Sequence, residues 1–268
     1  MTMRQLLVRP PAVAGAFYPA DVVALGDALR SSFAAAVHPD PDQPAPKALV
    51  VPHAGYVYSG PVAASAYLRL VPAGDRIRRV VLIGPSHHVS VDGIAATGAG
   101  AFTTPLGPVV VDDAARQVAL AHPAVRIDDR AHAFEHSLEV QLPFLQVVVD
   151  RFAVLPLAVG RCSASDAQAV LDSLWGGPET VIVASSDLSH YHRYADAVAL
   201  DARTAAAIVT ADPEAIGNRD ACGAAGLRAL LTAAATRKLR VEQLDVRNSG
   251  DTAGDRESVV GYGAFAIG

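Results

Sequence analysis

The sequence predicts an α/β fold with one central, mainly parallel sheet and helices on both of its faces. Two observations lead to this prediction. Short runs rich in Val, Ile and Leu recur along the chain, and longer segments with apolar residues at helical spacing separate them. The 268 residues are 51% hydrophobic and 18% charged, so the chain can bury a large core. We therefore expect residues 1–268 to form a single domain.

Four apolar runs are the predicted buried strands of this sheet. Each is short and ends at polar residues, Gly or Pro, which is typical of strands covered on both faces. They are Ala48–Pro52, Arg79–Gly84, Ala153–Val159 and Thr180–Ala184. Two further strands, Arg240–Arg247 and Ser258–Ile267, are predicted at the C-terminus, joined by a loop rich in Gly, Asp and Ser.

Seven segments carry the helical pattern, and they alternate with these strands. They are Asp21–Ala36, Pro61–Leu70, Asp112–Ala121, Ser137–Val149, Ser165–Leu174, Asp196–Val209 and Cys222–Ala235. Pro143 should kink or shorten the fourth of them, because proline removes a helical hydrogen bond. The proline-rich residues 39–46 are predicted to form a surface segment.

Composition excludes several classes of partner. The net charge is −5 and the pI near 6.0, and no basic stripe runs along the chain. Neither a nucleic-acid nor a membrane partner is therefore expected. Residues 1–11 are too short and too polar for a signal peptide, and no apolar run would span a bilayer. We expect a cytoplasmic protein with both cysteines reduced.

Polar clusters follow three of the predicted strands. His53 follows the first, His87 and His88 follow the second, and a segment from Ser185 to His192 that contains Asp187 and His190 follows the fourth. If these strands are parallel, all three clusters emerge at one edge of the sheet, where such folds carry their chemistry. A single histidine after a strand is usually an ordinary loop residue. Because polar clusters follow three strands that end at the same edge, His53 and His87 are candidates for a pair of metal ligands.

The other candidate residues each have a structural alternative. His88 is expected to point away from His87, because adjacent residues of an extended loop face opposite ways. Glu135 and His136 precede a predicted helix, where Glu135 either complements the helix dipole or, like His136, orients a ligand histidine. Cys222 begins a predicted helix, so it is either a thiol of lowered pKa, suited to metal binding or nucleophilic attack, or a small buried apolar residue. Cys162 is assigned to the buried class.

Several long motifs together resemble one family along nearly the whole chain. They are VRPPAVAGAFYP, VPHAGYVYSGPVAA, LIGPSHH, EHSLEVQLPFLQ, ASSDLSHY, ACGAAG and SGDTAGDRESVVGYGAFA. By these motifs the chain is identified as a member of the Memo family, also called AmmeMemoRadiSam system protein B. That family resembles class III extradiol ring-cleavage dioxygenases in fold.

The resemblance implies a set of site residues. His53 and His87 correspond to the two metal-binding histidines, and Cys222 to the third ligand of the family. Asp187 and His190 line the same cleft, and His190 matches the acid/base position of the dioxygenases. The thiolate is a departure from the dioxygenases, which use a carboxylate, so copper or zinc should bind more readily here. A thiolate is also oxidisable, which fits poorly with repeated O₂ turnover.

Three functions follow from these observations. The first is a non-heme iron-dependent oxidoreductase, with copper or zinc as alternative metals, in which Tyr56 or Tyr191 hydrogen-bonds a small-molecule ligand. The second is a zinc-type hydrolase with Glu135 or Asp187 as general base. The third is a non-catalytic module that binds a metal or a peptide. The family's name further implies radical-SAM and AMMECR-type partner proteins.

Overall fold

A computed structural model describes residues 7–268 and contains twelve strands and eight α-helices among them. The strands are β1 (Val8–Arg9), β2 (Ala48–Val51), β3 (Arg79–Pro85), β4 (Ile94–Ala96), β5 (Ala101–Thr104), β6 (Gly107–Val110), β7 (Val125–Ile127), β8 (Ala153–Val159), β9 (Thr180–Ser185), β10 (His190–His192), β11 (Val241–Asn248) and β12 (Val259–Ile267). The helices are α1 (Val22–Ala34), α2 (Tyr56–Tyr67), α3 (Asp113–Leu120), α4 (Arg130–Ala133), α5 (Leu142–Val148), α6 (Ala164–Ser173), α7 (Tyr194–Val209) and α8 (Ala224–Thr236).

The large sheet has nine strands and a parallel centre. Its order is β10-β12-β2-β9-β3-β8-β4-β7, with β11 paired to the outer side of β12. The strands β2, β9, β3 and β8 pair in parallel, whereas β12 joins β2 and β4 joins β8 in antiparallel fashion. A second sheet, β1-β5-β6, has three strands. The predicted α/β fold with a central, mainly parallel sheet is confirmed.

Alternate residues of the central strands belong to two separate hydrophobic clusters. In β3, Val80 and Leu82 belong to one cluster and Val81 and Ile83 to the other, and all four are fully buried. The first cluster includes residues of α2 and α5, and the second includes residues of α6 and α8. The central strands are therefore covered on both faces, as their continuous apolar sequence predicted.

Proline shapes the predicted helix over residues 137–149. A 3-10 turn at Glu139–Gln141 precedes α5, and Pro143 lies in the first turn of that helix. Proline is tolerated there because the missing N–H would have no partner within the helix. The α-helix is therefore shorter than the apolar pattern, as Pro143 predicted. Within residues 7–268, no helix has the length and apolar character needed to cross a membrane.

The N-terminal strap, residues 8–18, is tied to this 3-10 turn through the buried carboxylate of Glu139. Arg9 forms an ion pair with Glu139, and the backbone N–H groups of Ala12 and Val13 donate to its oxygens at 2.8 and 3.1 Å. The Tyr18 hydroxyl donates at 2.6 Å. Four contacts thus satisfy one fully buried carboxylate, and they hold the strap beside the cleft described below.

Candidate metal centre

The carboxyl ends of β2, β3 and β9 open into one cleft. Because these strands are parallel neighbours, the residues that follow them meet at the same sheet edge. The cleft has a volume of about 580 Å³. It is lined by Phe17, His53, Ala54, Gly55, Tyr58, His87, His136, Asp187, His190, Tyr191, Ser249, Gly254, Asp255, Ser258, Val260 and Tyr262. Candidate residues distant in sequence are therefore brought together.

His53 is buried, and its hydrogen bonds fix the position of its ring proton. Ser185 Oγ donates its one hydrogen to the Ser137 carbonyl at 2.7 Å and accepts from Gln141 Nε2 at 2.9 Å. His53 Nδ1 lies 2.9 Å from the same Oγ. Since Ser185 has no second hydrogen to give, His53 Nδ1 must be the donor. The lone pair of His53 therefore sits on Nε2.

His87 is fixed in the same way, by a carboxylate. Its Nδ1 lies 2.9 Å from Glu135 Oε1, and its backbone N–H donates to Oε2 at 2.6 Å. The Ser137 N–H also donates to Oε1, at 2.9 Å. Burial alone would raise the pKa of Glu135, but these hydrogen bonds lower it to about 2. An ionised carboxylate only accepts, so His87 Nδ1 carries a hydrogen, and Nε2 makes no hydrogen bond within residues 7–268.

His136 is the third imidazole, and stacking rather than hydrogen bonding holds it. Its ring stacks on that of His87 with centroids 4.6 Å apart, and it lies 4.6 Å from the Phe17 ring. Burial lowers its pKa to about 4, so the ring is neutral at pH 7. Sequence analysis placed His136 among the orienting residues, whereas the structure places it beside His53 and His87.

These three residues, hereafter the histidine cluster, have the geometry of a ligand set. One ring nitrogen from each lies within 4.8 Å of those of the other two. The ring centroid of His53 is 5.2 Å from that of His87 and 5.4 Å from that of His136. Burial, and then the neighbouring histidines, lower the pKa of His53 well below its ordinary value. Imidazole ligands suit iron, copper or zinc.

Cys222 lies next to the cluster, in contact with His53. Its Sγ lies 3.1 Å from His53 Nε2 and accepts from the Asp187 N–H at 3.2 Å. Gly223 permits this approach, since a Cβ there would lie 2.5 Å from the Ser185 carbonyl oxygen. The expected lowering of the thiol pKa is wrong. Cys222 precedes α8 by two residues, and burial raises its pKa to about 12.

Asp187 and His190 line the cleft as well. Asp187 Oδ1 accepts the His53 backbone N–H at 2.7 Å, and burial raises the pKa of this carboxyl to about 7. His190 Nδ1 lies 2.8 Å from the Leu188 carbonyl oxygen, which only accepts. Its Nδ1 is therefore protonated, and burial lowers the pKa of the ring. His190 thus presents an unprotonated Nε2.

The two candidate tyrosines have different surroundings. Tyr56 is buried, and its hydroxyl donates to the Val140 carbonyl at 2.7 Å. It borders a neighbouring groove that is also lined by Phe17. Tyr191 is 78% exposed at the cleft mouth. The backbone φ of Tyr191 is 61°, in the left-handed region. Tyr191 lies where the pairing of β10 with β12 shifts register. Such a bulge redirects the flanking side chains.

Sequence reasoning missed several residues that shape this cleft. Phe17, Tyr58 and Tyr262 form apolar walls, and Ser185 and Gln141 fix the His53 ring. Tyr58 lies within the quoted motif VPHAGYVYSGPVAA, two residues beyond Tyr56. That position alone does not show which of the two tyrosines reaches the cleft, because both lie in α2.

The chain is similar to known proteins along nearly its whole length. Residues 9–266 match the family described as Memo-like protein. The chain belongs to this Memo-like family. A MEMO1 family protein of Ignicoccus hospitalis is 36% identical over an alignment of 282 positions, gaps included, which covers 97% of this chain and 98% of that protein. One from Aquifex aeolicus is 36% identical over 270 residues, covering 95% and 97%. One from Sulfolobus acidocaldarius is 34% identical over 278 residues, covering 96% and 98%.

The chemistry of the donors limits which metals fit. Three neutral imidazoles and a nearby thiol are borderline to soft ligands, whereas Ca²⁺ and Mg²⁺ require sets of oxygen ligands. Oε1 of Glu135 already accepts from His87 Nδ1 and from the Ser137 N–H, so this carboxylate does not supply the set of oxygen ligands that a hard cation needs. A late first-row transition metal therefore fits this Memo-like cleft better than a hard cation.

Proposed function

We propose that this Memo-like protein binds a redox-active transition metal, iron or copper, through His53 and His87, and that it is a redox metalloenzyme acting on a small molecule. One observation carries the proposal. Both histidines have Nδ1 committed as a hydrogen-bond donor, so each turns Nε2 toward the other ligand atoms. The one protein contact of His53 Nε2 among residues 7–268 is the Cys222 sulfur, itself a candidate ligand, and His87 Nε2 has none there.

The third donor is either Cys222, as the family resemblance implies, or His136, as the cluster suggests. The two alternatives differ in proton balance. Because burial raises the pKa of Cys222 to about 12, binding through sulfur must release one proton for each ion. Binding through imidazole nitrogens that carry no hydrogen releases none. Proton release on adding metal to unbuffered protein distinguishes the two ligand sets.

The remaining residues suit proton transfer and orientation. A bound iron or copper ion would supply redox chemistry and an open position for a substrate. His190 presents Nε2 as a general base, a role typically worth ~10²–10⁴-fold in rate. Asp187 anchors the His53 backbone at 2.7 Å. Tyr58, Tyr191 and Tyr262 form walls against which an organic ligand can pack.

Elemental analysis of anaerobically purified protein tests this proposal. We expect the wild type to contain an iron or copper ion that is lost in His53→Ala and in His87→Ala. Cys222→Ser should weaken copper binding more than iron binding, because a hydroxyl is a poor ligand for a soft metal. His38→Ala removes an exposed imidazole from a different cavity and serves as the matched control. Unchanged metal content in His53→Ala would contradict the proposal.

A non-catalytic metal-binding module is the second candidate, and one observation favours it. An oxidisable thiol lies 3.1 Å from the candidate ligand atom of His53, and repeated turnover with O₂ would put that sulfur at risk. Oxygen consumption by the iron-loaded protein, measured over a panel of catechols and other small molecules, separates the two functions. No consumption above that of His53→Ala would favour the binding module.

A further inference from the structure

A second group of ligand atoms adjoins the histidine cluster on its solvent side. It comprises His88, Glu135 and His136, and one ligand atom from each lies within 4.8 Å of those of the other two. His88 is exposed, His136 is partly buried and Glu135 is 1% exposed. The group therefore runs from the buried carboxylate to the surface, beside the mouth of the cleft.

The atoms of this group are available for coordination. Among residues 7–268, no hydrogen bond joins a ring nitrogen of His136 to the protein, and its Nδ1 lies 3.4 Å from Glu135 Oε1. Phe17 and His87 hold the ring on either side. Glu135 Oε2 accepts one hydrogen bond, from the His87 N–H. A carboxylate oxygen has two lone pairs, so Oε2 can bind a cation while Glu135 still orients His87.

His88 supplies the donor that completes the group. Its ring centroid lies 6.1 Å from that of His136, in an edge-to-face arrangement. It follows His87 directly in sequence, and the two adjacent histidines belong to different groups of ligand atoms. The Glu135 carboxylate holds His87, which belongs to the histidine cluster, whereas His88 belongs to the second group.

We propose that His88, Glu135 and His136 form a second divalent-cation site, so that the cleft takes up two metal ions. The inner ion is that of the proposed function, on which this inference rests, with His53, His87 and Cys222 as its donors. His136 is then left for the outer ion. Two nitrogens and a carboxylate form a harder set than imidazoles with a thiol, and they suit Zn²⁺ or Fe²⁺. Two adjacent ions can bind both oxygens of a bridging substrate.

Zn²⁺ stoichiometry tests the second site without an activity assay. Metal-free protein without an affinity tag is equilibrated with Zn²⁺, dialysed, and analysed for zinc per chain. We expect two ions in the wild type and one in His88→Ala, with the affinity of the tighter ion changed less than twofold. His53→Ala should retain the outer ion, and His38→Ala should retain both.

The variants separate failure of this inference from failure of the proposed function. One zinc ion in the wild type that His88→Ala retains, or two in His88→Ala, would overturn the second site. An equal loss of zinc in His38→Ala and His88→Ala would identify adventitious surface binding and would also overturn the second site. Zinc content that His53→Ala leaves unchanged would instead count against the inner site. Thermal unfolding of each variant confirms that a lost ion does not reflect a lost fold.

Discussion

The direction in which each histidine ring points its lone pair depends on polar residues that do not touch the cleft. Ser185 illustrates this dependence. Its single hydroxyl hydrogen goes to the Ser137 carbonyl, and Gln141, itself fixed by the Pro52 carbonyl and the Tyr67 hydroxyl, donates to its oxygen. His53 has to donate as well, so a serine in β9 sets the tautomer of a candidate ligand.

Ser185→Ala should therefore weaken metal binding without removing a ligand. The free His53 ring could then carry its hydrogen on either nitrogen, and the orientation of the ring would be less restricted. Loss of a residue that hydrogen-bonds a metal-ligating histidine typically costs about 10–100-fold in metal affinity. The measurement is a competition titration with a chromophoric chelator. Ser173→Ala, an exposed serine that donates to the Val170 carbonyl, is the control. Equal affinities for the two variants would show that Ser185 has no orienting role.

How much of this site can be predicted from sequence also depends on contacts between distant residues. His53 and His87 are predictable because each lies two residues beyond the end of a buried strand. The positions of Ser185 and Gln141 in the hydrogen-bond network are not, since serine in a strand and glutamine in a helical turn are common. His136 was expected near the site, but its place among the imidazoles depends on how the strap and β3 pack.

His132 affects the stability of the fold at acid pH. It is 1% exposed, its Nε2 lies 3.0 Å from the Ala95 carbonyl oxygen, and within residues 7–268 its Nδ1 has no partner. Burial lowers its pKa to about 4. A depressed histidine pKa means that the folded state resists protonation, so stability present above pH ~6.5 is lost as the pH falls through about 4.

His132→Gln should reduce this acid sensitivity. Gln keeps a donor for the Ala95 carbonyl but does not titrate. Between pH 7 and 4.5, the free energy of unfolding of the wild type should fall by about 2 kcal/mol more than that of the variant. Urea denaturation at several pH values measures the difference. His38→Gln should behave like the wild type, and parallel pH profiles for all three proteins would contradict the assignment.

At the scale of elements, the N-terminal strap links the sheet to the cleft. The Glu139 carboxylate holds Arg9, Tyr18 and two backbone N–H groups, and the strap then places the Phe17 ring 4.6 Å from that of His136. The Phe17 carbonyl also accepts the N–H of Tyr56 at 2.8 Å, at the start of α2. One buried carboxylate therefore positions a wall of the candidate metal centre.

Glu139→Gln should destabilise the fold through this strap. The amide keeps some of the hydrogen bonds but leaves Arg9 buried without a counter-charge, which costs about 3 kcal/mol in comparable buried pairs. Urea denaturation measures the loss. Glu242→Gln is the matched control, because Glu242 pairs with Arg69 but is 47% exposed, and it should cost less than about 1 kcal/mol. Equal losses would show that burial of the pair is unimportant.

The elements themselves were predicted unevenly. Long buried strands were recovered almost to the residue: Ala153–Val159 matches β8, and Arg79–Gly84 falls one residue short of β3. The short strands β4 to β7 and β10 were not predicted. They have three or four residues each, too few for a periodic pattern. Their pairing depends on neighbouring strands rather than on their own composition.

For the whole molecule, the topology makes metal binding a cross-link. His53, His87 and Cys222 lie in three segments far apart in sequence, after β2, after β3 and before α8. A metal held by all three would join these segments only in the folded state. Because the unfolded chain cannot present the ligands together, binding stabilises the fold according to the ion concentration relative to Kd.

Adding metal should therefore raise the melting temperature of the metal-free protein. At an ion concentration of 100 Kd the gain is about 2.7 kcal/mol, which corresponds to roughly 5–10 °C for a domain of this size. Differential scanning fluorimetry with Fe²⁺ under anaerobic conditions measures it, and a chelator should reverse it. His53→Ala should lose the part of the shift that the inner ion contributes, whereas His38→Ala should show the full shift. A full shift in His53→Ala would mean that the stabilising ion does not bind through His53, the histidine whose Nδ1 Ser185 fixes just beyond the end of β2.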